Sequence, residues 1–314
     1  IDPFNGYGYL LYGSPQQYGA ILYSAFLMPD APYFKDLFQE GVLKHTSMTV
    51  YLPLVGVVGG VAFCRARRSH PFTYILKACV LCAFVPVLNS AFYALNSSYY
   101  ARWYYMPVLV LCGATACALS RPHLAERQVP RAWRLVALVT ASSALFALVP
   151  NTDADGNFKL GVVDLQPRFW GIFAVSILGV LLFRLLWGRE RNRRDWSRRL
   201  LAGVLAFSFF YGTVHLDSVA EIEESLPRDA FYRIDAYGAH NNLGLWFDRS
   251  CLQFFNSTVA PSIMEFYPSV GVTRDVNSKP DVQNDGLRGL LSVRYMLVAK
   301  DSAGDWAAED LTGW

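Results

Sequence analysis

Six long apolar runs, at 47–63, 72–95, 104–119, 133–150, 169–187 and 200–216, constrain this chain more than any motif within it. Each approaches the ~20 residues that carry a helix across a ~30 Å hydrocarbon core. None shows the charged face at helical spacing that a surface helix of a soluble domain carries. Lipid admits only structures whose backbone groups are satisfied internally, and these runs are too long and too little alternating for barrel strands. The expected fold class is a polytopic α-helical membrane protein with about six transmembrane helices. Composition agrees, with 53% hydrophobic and 17% charged residues and a mean hydropathy of +0.23.

Charges between the runs orient the bundle. The connection 64–70 carries Arg65, Arg67 and Arg68, the connection 120–134 carries Arg121, Arg127, Arg131 and Arg134, and 187–199 carries six more arginines. The alternate connections hold only Arg102 in 96–103 and Lys159 with Arg168 in 151–168. Thirteen basic residues against three place the arginine-rich turns in the cytoplasm by the positive-inside rule. Residues 1–46 then form an extracytoplasmic loop or interfacial segment, 47–217 the membrane region, and 218–314 an extracytoplasmic domain. That last stretch has 14 acidic against 8 basic side chains, a net charge of −6 inside an overall +3. The basic residues are those that set orientation, so no nucleic-acid partner is expected. The chain opens on Ile1 without a signal peptide, which reads as a fragment.

The tail reads as a small α+β unit. The stretches 230–237 and 293–300 are rich in aromatic and β-branched residues and predict strands. The stretch 257–267 predicts a short helix opened by a Ser/Thr cap, with Pro261 in its first turns. The last dozen residues are expected to pack incompletely.

Polar residues inside the runs mark candidate sites. Lys77 lies near the cytoplasmic end of the second run, where it reads either as a snorkelling side chain or as a functional charge. Pro86 predicts a kink in the same helix. Asn89 either hydrogen-bonds a neighbouring helix or faces a cavity. Cys79 and Cys82 have CxxC spacing but no second pair, and read as helix-packing residues. Asn151, Asp153 and Asp155 begin like a calcium loop, although Val162 stands where the bidentate acid belongs. A divalent cation is possible there, and no other cofactor is evident. His215 and Asp217 at the exit of the last run read either as an acid/base pair or as interfacial caps.

One polar island, "ALNSSYYARWYYMPVL" at 94–109, interrupts two apolar runs as an exterior turn would. With its flanks, "VPVLNSAFYALNSSYYARWYYMPVLVL", it resembles the YfhO family of bacterial membrane proteins, in which an Asn, a short polar stretch and an Arg-Trp pair precede the next helix. "TSMTVYLPLVG", "RIDAYGAHNNLGLWF", "FFNSTVAPSIMEFY" and "LLSVRYMLVAK" are similar to that family in its order. The resemblance implies a GT-C-type glycosyltransferase of the bacterial plasma membrane. It would transfer sugar from a polyprenyl-phosphate donor to an anionic cell-envelope polymer such as lipoteichoic acid. The family's catalytic acid lies in an early exterior loop, and no residue here matches it.

At such an interface a guanidinium can grip phosphate oxygens bidentately, which makes Arg102 the leading candidate for phosphate. Trp103, Tyr99 and Tyr100 either stack on sugar faces or anchor the helix ends at headgroup depth. Two other classes stay open: a lipid-linked sugar transporter or flippase, and a non-catalytic anchor displaying a glycan-binding domain.

Overall fold

The computed structural model describes residues 8–13, 15–29, 50–53, 56–95, 99, 102–152, 158–163, 166–187, 193–226, 231–237, 243–246, 248–252, 254–255, 260–272, 277–278, 283–299 and 306–311. The chain divides into two compact units, Ile1–Tyr211 and Gly212–Trp314.

The first unit is helical. It contains α1 (Pro15–Tyr23), α2 (Gly56–Ala66), α3 (Pro71–Phe84), α4 (Pro86–Ser90), α5 (Tyr105–Ser120), α6 (Pro122–Ser142), α7 (Leu145–Leu148) and α8 (Gln166–Trp187). Strands β1 (Pro150–Thr152) and β2 (Phe158–Leu160) form an antiparallel hairpin, and α9 (Arg193–Ser225) begins in this unit. Among the described residues two helical stretches, Arg127–Leu148 and Gln166–Trp187, are long and apolar enough to cross a membrane. The bent pair Pro71–Phe84 and Pro86–Tyr93 makes a third if it counts as one span. The apolar helices α2 and α5 are shorter, with 11 and 16 residues. At 1.5 Å per residue they reach ~17 and ~24 Å, less than a full hydrocarbon core.

The arginine-rich stretch 120–134, expected as a connection, is helical from Pro122 onward. Only Arg121, with extended backbone (φ −112°, ψ 100°), separates α5 from α6. Proline at the first helical position has its φ preset, and the Ala, Glu, Arg and Gln that follow favour helix. Arg127, Arg131 and Arg134 therefore lie on α6 itself. Likewise 193–199, expected as part of a connection, forms the first turns of α9.

Helices α2, α6, α8 and α9 meet in one core, where Val58, Ala62, Val129, Ala132, Phe183 and Phe207 interlock. Small residues set the closest approach. A Cβ on Gly59 would lie 2.5 Å from Thr115 Cγ2 of α5, and the Thr115 hydroxyl donates to the Gly56 carbonyl at 2.7 Å. The indole N–H of Trp133 donates to the Val180 carbonyl at 2.9 Å, tying α6 to α8. Other helix faces turn large apolar side chains outward: Leu109 is 71% and Phe209 72% exposed. Such surfaces are unfavourable in water and suit a lipid surrounding.

The second unit contains β3 (Arg233–Tyr237), α10 (Leu243–Trp246), β4 (Ser250–Cys251), β5 (Phe254–Phe255), α11 (Pro261–Ser269), β6 (Asn277–Ser278), α12 (Asp285–Leu290), β7 (Val293–Ala299) and β8 (Trp306–Asp310). Its main sheet has the order β4-β3-β7-β8, parallel except for the antiparallel β7–β8 pair. The strands expected at 230–237 and 293–300 are β3 and β7, and they pair with each other. Ile234, Ala236, Tyr295 and Leu297 fill one face, with Tyr232 edge-on to Tyr295 at 5.0 Å.

One expectation for the tail needs correction. The helix expected at 257–267 starts at Pro261, with Ala260 at its N-cap and no side-chain capping bond. The preset φ of Pro261 makes it the natural first helical residue, ahead of any effect from Ser257 or Thr258, which lie outside the described residues. Residues 306–310 form the sheet's edge strand, paired with β7.

One buried ion pair holds β3 to α12. Arg288 Nε lies 2.9 Å from Asp235 Oδ2, with the two side chains 1% and 4% exposed. Asp235 Oδ1 accepts from the Ala236 N–H at 2.9 Å, and the Asn284 side chain caps α12 by accepting from the Leu287 N–H.

Candidate functional site

The site is built around the place where a helix fails. Pro86 has no N–H to donate back along the chain, and the residue before a proline avoids the helical region. Val85 accordingly adopts an extended conformation (φ −115°, ψ 114°), α3 stops at Phe84, and the chain bends by 106°. The expected kink is thus a complete break.

The break leaves polar backbone groups that the N-terminal segment satisfies. The Val87 N–H donates to the Tyr9 carbonyl at 3.0 Å, and the Tyr12 hydroxyl donates to the Ala83 carbonyl at 2.9 Å. The Tyr12 N–H in turn donates to the Tyr18 hydroxyl at 2.8 Å. Asn89 is fully buried beside Tyr12. Burial, reinforced by Tyr99 and Tyr18, pushes the Tyr12 phenol well up, so it stays protonated and able to donate. Tyr12→Phe leaves a buried carbonyl without its donor. It is expected to cost about 1–3 kcal/mol locally, seen as faster amide exchange across 85–89 while α8 amides stay protected.

An aromatic cluster lies against the break. Trp103 is 3% exposed and stacks on Phe92 at 4.4 Å and 12°. Tyr104 meets the Trp103 edge at 4.8 Å, and the Tyr99 and Tyr104 hydroxyls hydrogen-bond at 3.2 Å. Burial pushes the Tyr99 phenol up to about 12. Beyond Asn89 the chain passes through left-handed Ala94 (φ 50°) and Leu95 (φ 60°), a conformation non-glycine residues adopt at a cost. The Leu95 N–H closes the turn on the Ser90 carbonyl at 2.9 Å.

The sequence candidates fall unevenly on this frame. Trp103, Tyr99 and Asn89 come together around Tyr12. Trp103 gives one ring face to Phe92, so that face is closed to a sugar. Arg102 opens the 3-10 turn Arg102–Tyr104 that leads into α5, but its side chain, like all of Tyr100, lies outside the described residues. His215 and Asp217 sit on α9, far along the sequence from the island, and their side chains also lie outside the described residues. Asn151 pairs with Lys159 in the β1–β2 hairpin, whereas Asp153 and Asp155 lie outside the described residues. Among the described residues no three His, Cys, Asp or Glu side chains cluster as metal ligands would.

A feature the sequence reading missed adjoins the aromatic cluster. A groove of about 690 Å³ runs between α2, α3, α5 and the end of α1. Its volume falls within the ~300–1,000 Å³ of small-molecule sites. Trp103, Tyr104 and Phe84 close one end, Val57, Val61 and Val80 line its length, and Arg65, Arg68 and Lys77 stand at the other. The signal was present in the sequence: Lys77 lies on α3, just across a short turn from Arg65 and Arg68. Snorkelling explained Lys77 alone and hid the convergence of the three.

Comparison with protein-family models, with curated proteins and with solved structures gives no match to this chain. Fold and site define a mostly helical protein with helices able to span a bilayer, a broken helix and a groove of amphipathic character.

Proposed function

We propose that the chain belongs to a plasma-membrane glycosyltransferase resembling the YfhO family, with six spans and with the 94–109 turn and the 218–314 domain outside the cell. The donor is a polyprenyl-phosphate sugar and the acceptor an anionic envelope polymer. A carboxylate base takes the proton of the acceptor hydroxyl, the hydroxyl oxygen attacks the anomeric carbon with inversion, and the sugar–phosphate bond breaks to release polyprenyl phosphate. No residue here is assigned as that base. Arg102 is the phosphate-binding candidate.

The observation that carries this reading is the break at Pro86 beside the Arg102–Tyr104 turn. Non-helical backbone at membrane depth is tolerated where it is buried in protein or lines a cavity, and it marks binding sites for that reason. The same break favours a second reading, a lipid-linked sugar transporter, because transporters bind substrate at discontinuous helices. One experiment separates them. The protein in liposomes is given a polyprenyl-phosphate sugar and an envelope polymer, with Arg102→Ala alongside. Transfer that falls at least tenfold in the variant, about 1.4 kcal/mol of lost phosphate contact, supports the transferase. Donor translocation without transfer supports the transporter. Donor binding and transfer unchanged in Arg102→Ala would sink the role given to Arg102.

A further inference from the structure

The groove ends on three cations, and nothing in its lining neutralises them. Arg65 and Arg68 come from the end of α2 and the turn after it, and Lys77 from the second turn of α3. No Asp or Glu lines the groove, and none of the three cations forms an ion pair among the described residues. Lys77 instead sits over the Tyr74 ring at 5.7 Å. Past Lys77 the wall is apolar along α3 through Cys79, Val80, Ala83 and Phe84, about 7.5 Å at helical rise. Val80, on that wall, is 59% exposed. A concave apolar track that starts at a positive cluster is complementary to one kind of molecule: a hydrocarbon chain joined to an anion.

We propose that this groove is a binding site for an anionic phospholipid, with an acyl chain along α3 and the phosphate held by Arg65, Arg68 and Lys77. Guanidinium forks grip phosphate oxygens in pairs and the ammonium adds a point charge, so the headgroup is recognised by charge and geometry together. The chain contributes non-specific burial at roughly 25 cal/mol per Å². Only the phosphate end is distinct from the glycosyl-transfer reading: it lies at the arginine end of α2 and α3, whereas Trp103 and Tyr104 of the Arg102–Tyr104 turn close the opposite end of the groove, and the proposal stands whether or not the protein transfers sugar.

The test uses the whole chain in detergent, with retained lipid counted by native mass spectrometry. Phosphatidylglycerol and phosphatidylcholine of identical acyl chains are offered together. The expected result is retention of phosphatidylglycerol over phosphatidylcholine by about tenfold, the scale of a few partly exposed ionic contacts. The triple variant Arg65→Gln, Arg68→Gln, Lys77→Gln should abolish that preference, whereas Arg131→Gln with Arg134→Gln, exposed on α6 and outside the groove, should leave it intact. Val80→Trp, which fills the track from an exposed position, should reduce retention of both lipids. The proposal is overturned if the two lipids are retained equally, or if the α6 pair matters as much as the groove cations. It is also overturned if retention survives Val80→Trp, or if glycerol 3-phosphate, a headgroup without chains, displaces the lipid at equal concentration. That last outcome would leave a surface phosphate site only.

Discussion

Arg288→Ala is expected to destabilise the unit Gly212–Trp314 by about 3–5 kcal/mol, close to the whole stability of a domain this size. The reason is what remains behind. The Asp235 carboxylate is 4% exposed and gets one oxygen's partner from Arg288 at 2.9 Å and the other's from the Ala236 N–H. Without the guanidinium a buried charge stays uncompensated, and Asp285, 3.8 Å from Arg288, is another acid and cannot replace it. Limited proteolysis of the intact protein should then cut first between β3 and β7. The paired change Asp235→Leu with Arg288→Met removes both charges and should recover most of the loss, because a buried ion pair is often no better than an apolar pair of similar volume. Equal damage from the single and paired variants would show that shape, not charge, holds α12 to the sheet.

Gly59→Ile is the second large expected effect, in the helical unit Ile1–Tyr211. Even a Cβ would lie 2.5 Å from Thr115 Cγ2 and 2.9 Å from its hydroxyl, so α2 and α5 must separate or Thr115 must turn and give up its bond to the Gly56 carbonyl. Overpacking of this kind costs about 1–3 kcal/mol. It should appear as a lower thermal midpoint in detergent. Gly171→Ala on α8, where an added methyl meets nothing within 4 Å, serves as the control with little change.

How much was legible follows from what each feature depends on. Apolar length and the local richness in aromatic and β-branched residues are properties of the sequence alone; the first located α8 and the α6–α7 stretch, the second the strands β3 and β7. Pro86 announced the end of α3 for the same local reason. The helical nature of 122–134 was hidden because polar arginines read as a connection, although arginine is a good helix former and Pro122 a good start. The partners of the break could not be read at all: nothing local links Tyr12 to Ala83. Asp235 and Arg288, 53 positions apart, are ordinary surface residue types until the sheet forms between them. The groove lay between these cases, since its cations were visible and their convergence was not.

The contact between Tyr12 and Ala83 also sets an order of events. The two residues are separated by 71 positions, so the segment that completes the broken helix is made well before its target exists. During synthesis residues 9–12 must wait until α3 and α4 have both been delivered and have settled at their angle. Until then the Ala83 carbonyl and the Val87 N–H have neither helix nor tyrosine to bond. Closing so long a loop is entropically slow, which makes the docking of this segment a late step in maturation. Residues 8–12 therefore work as a latch, closed only once the turn beneath them is in place.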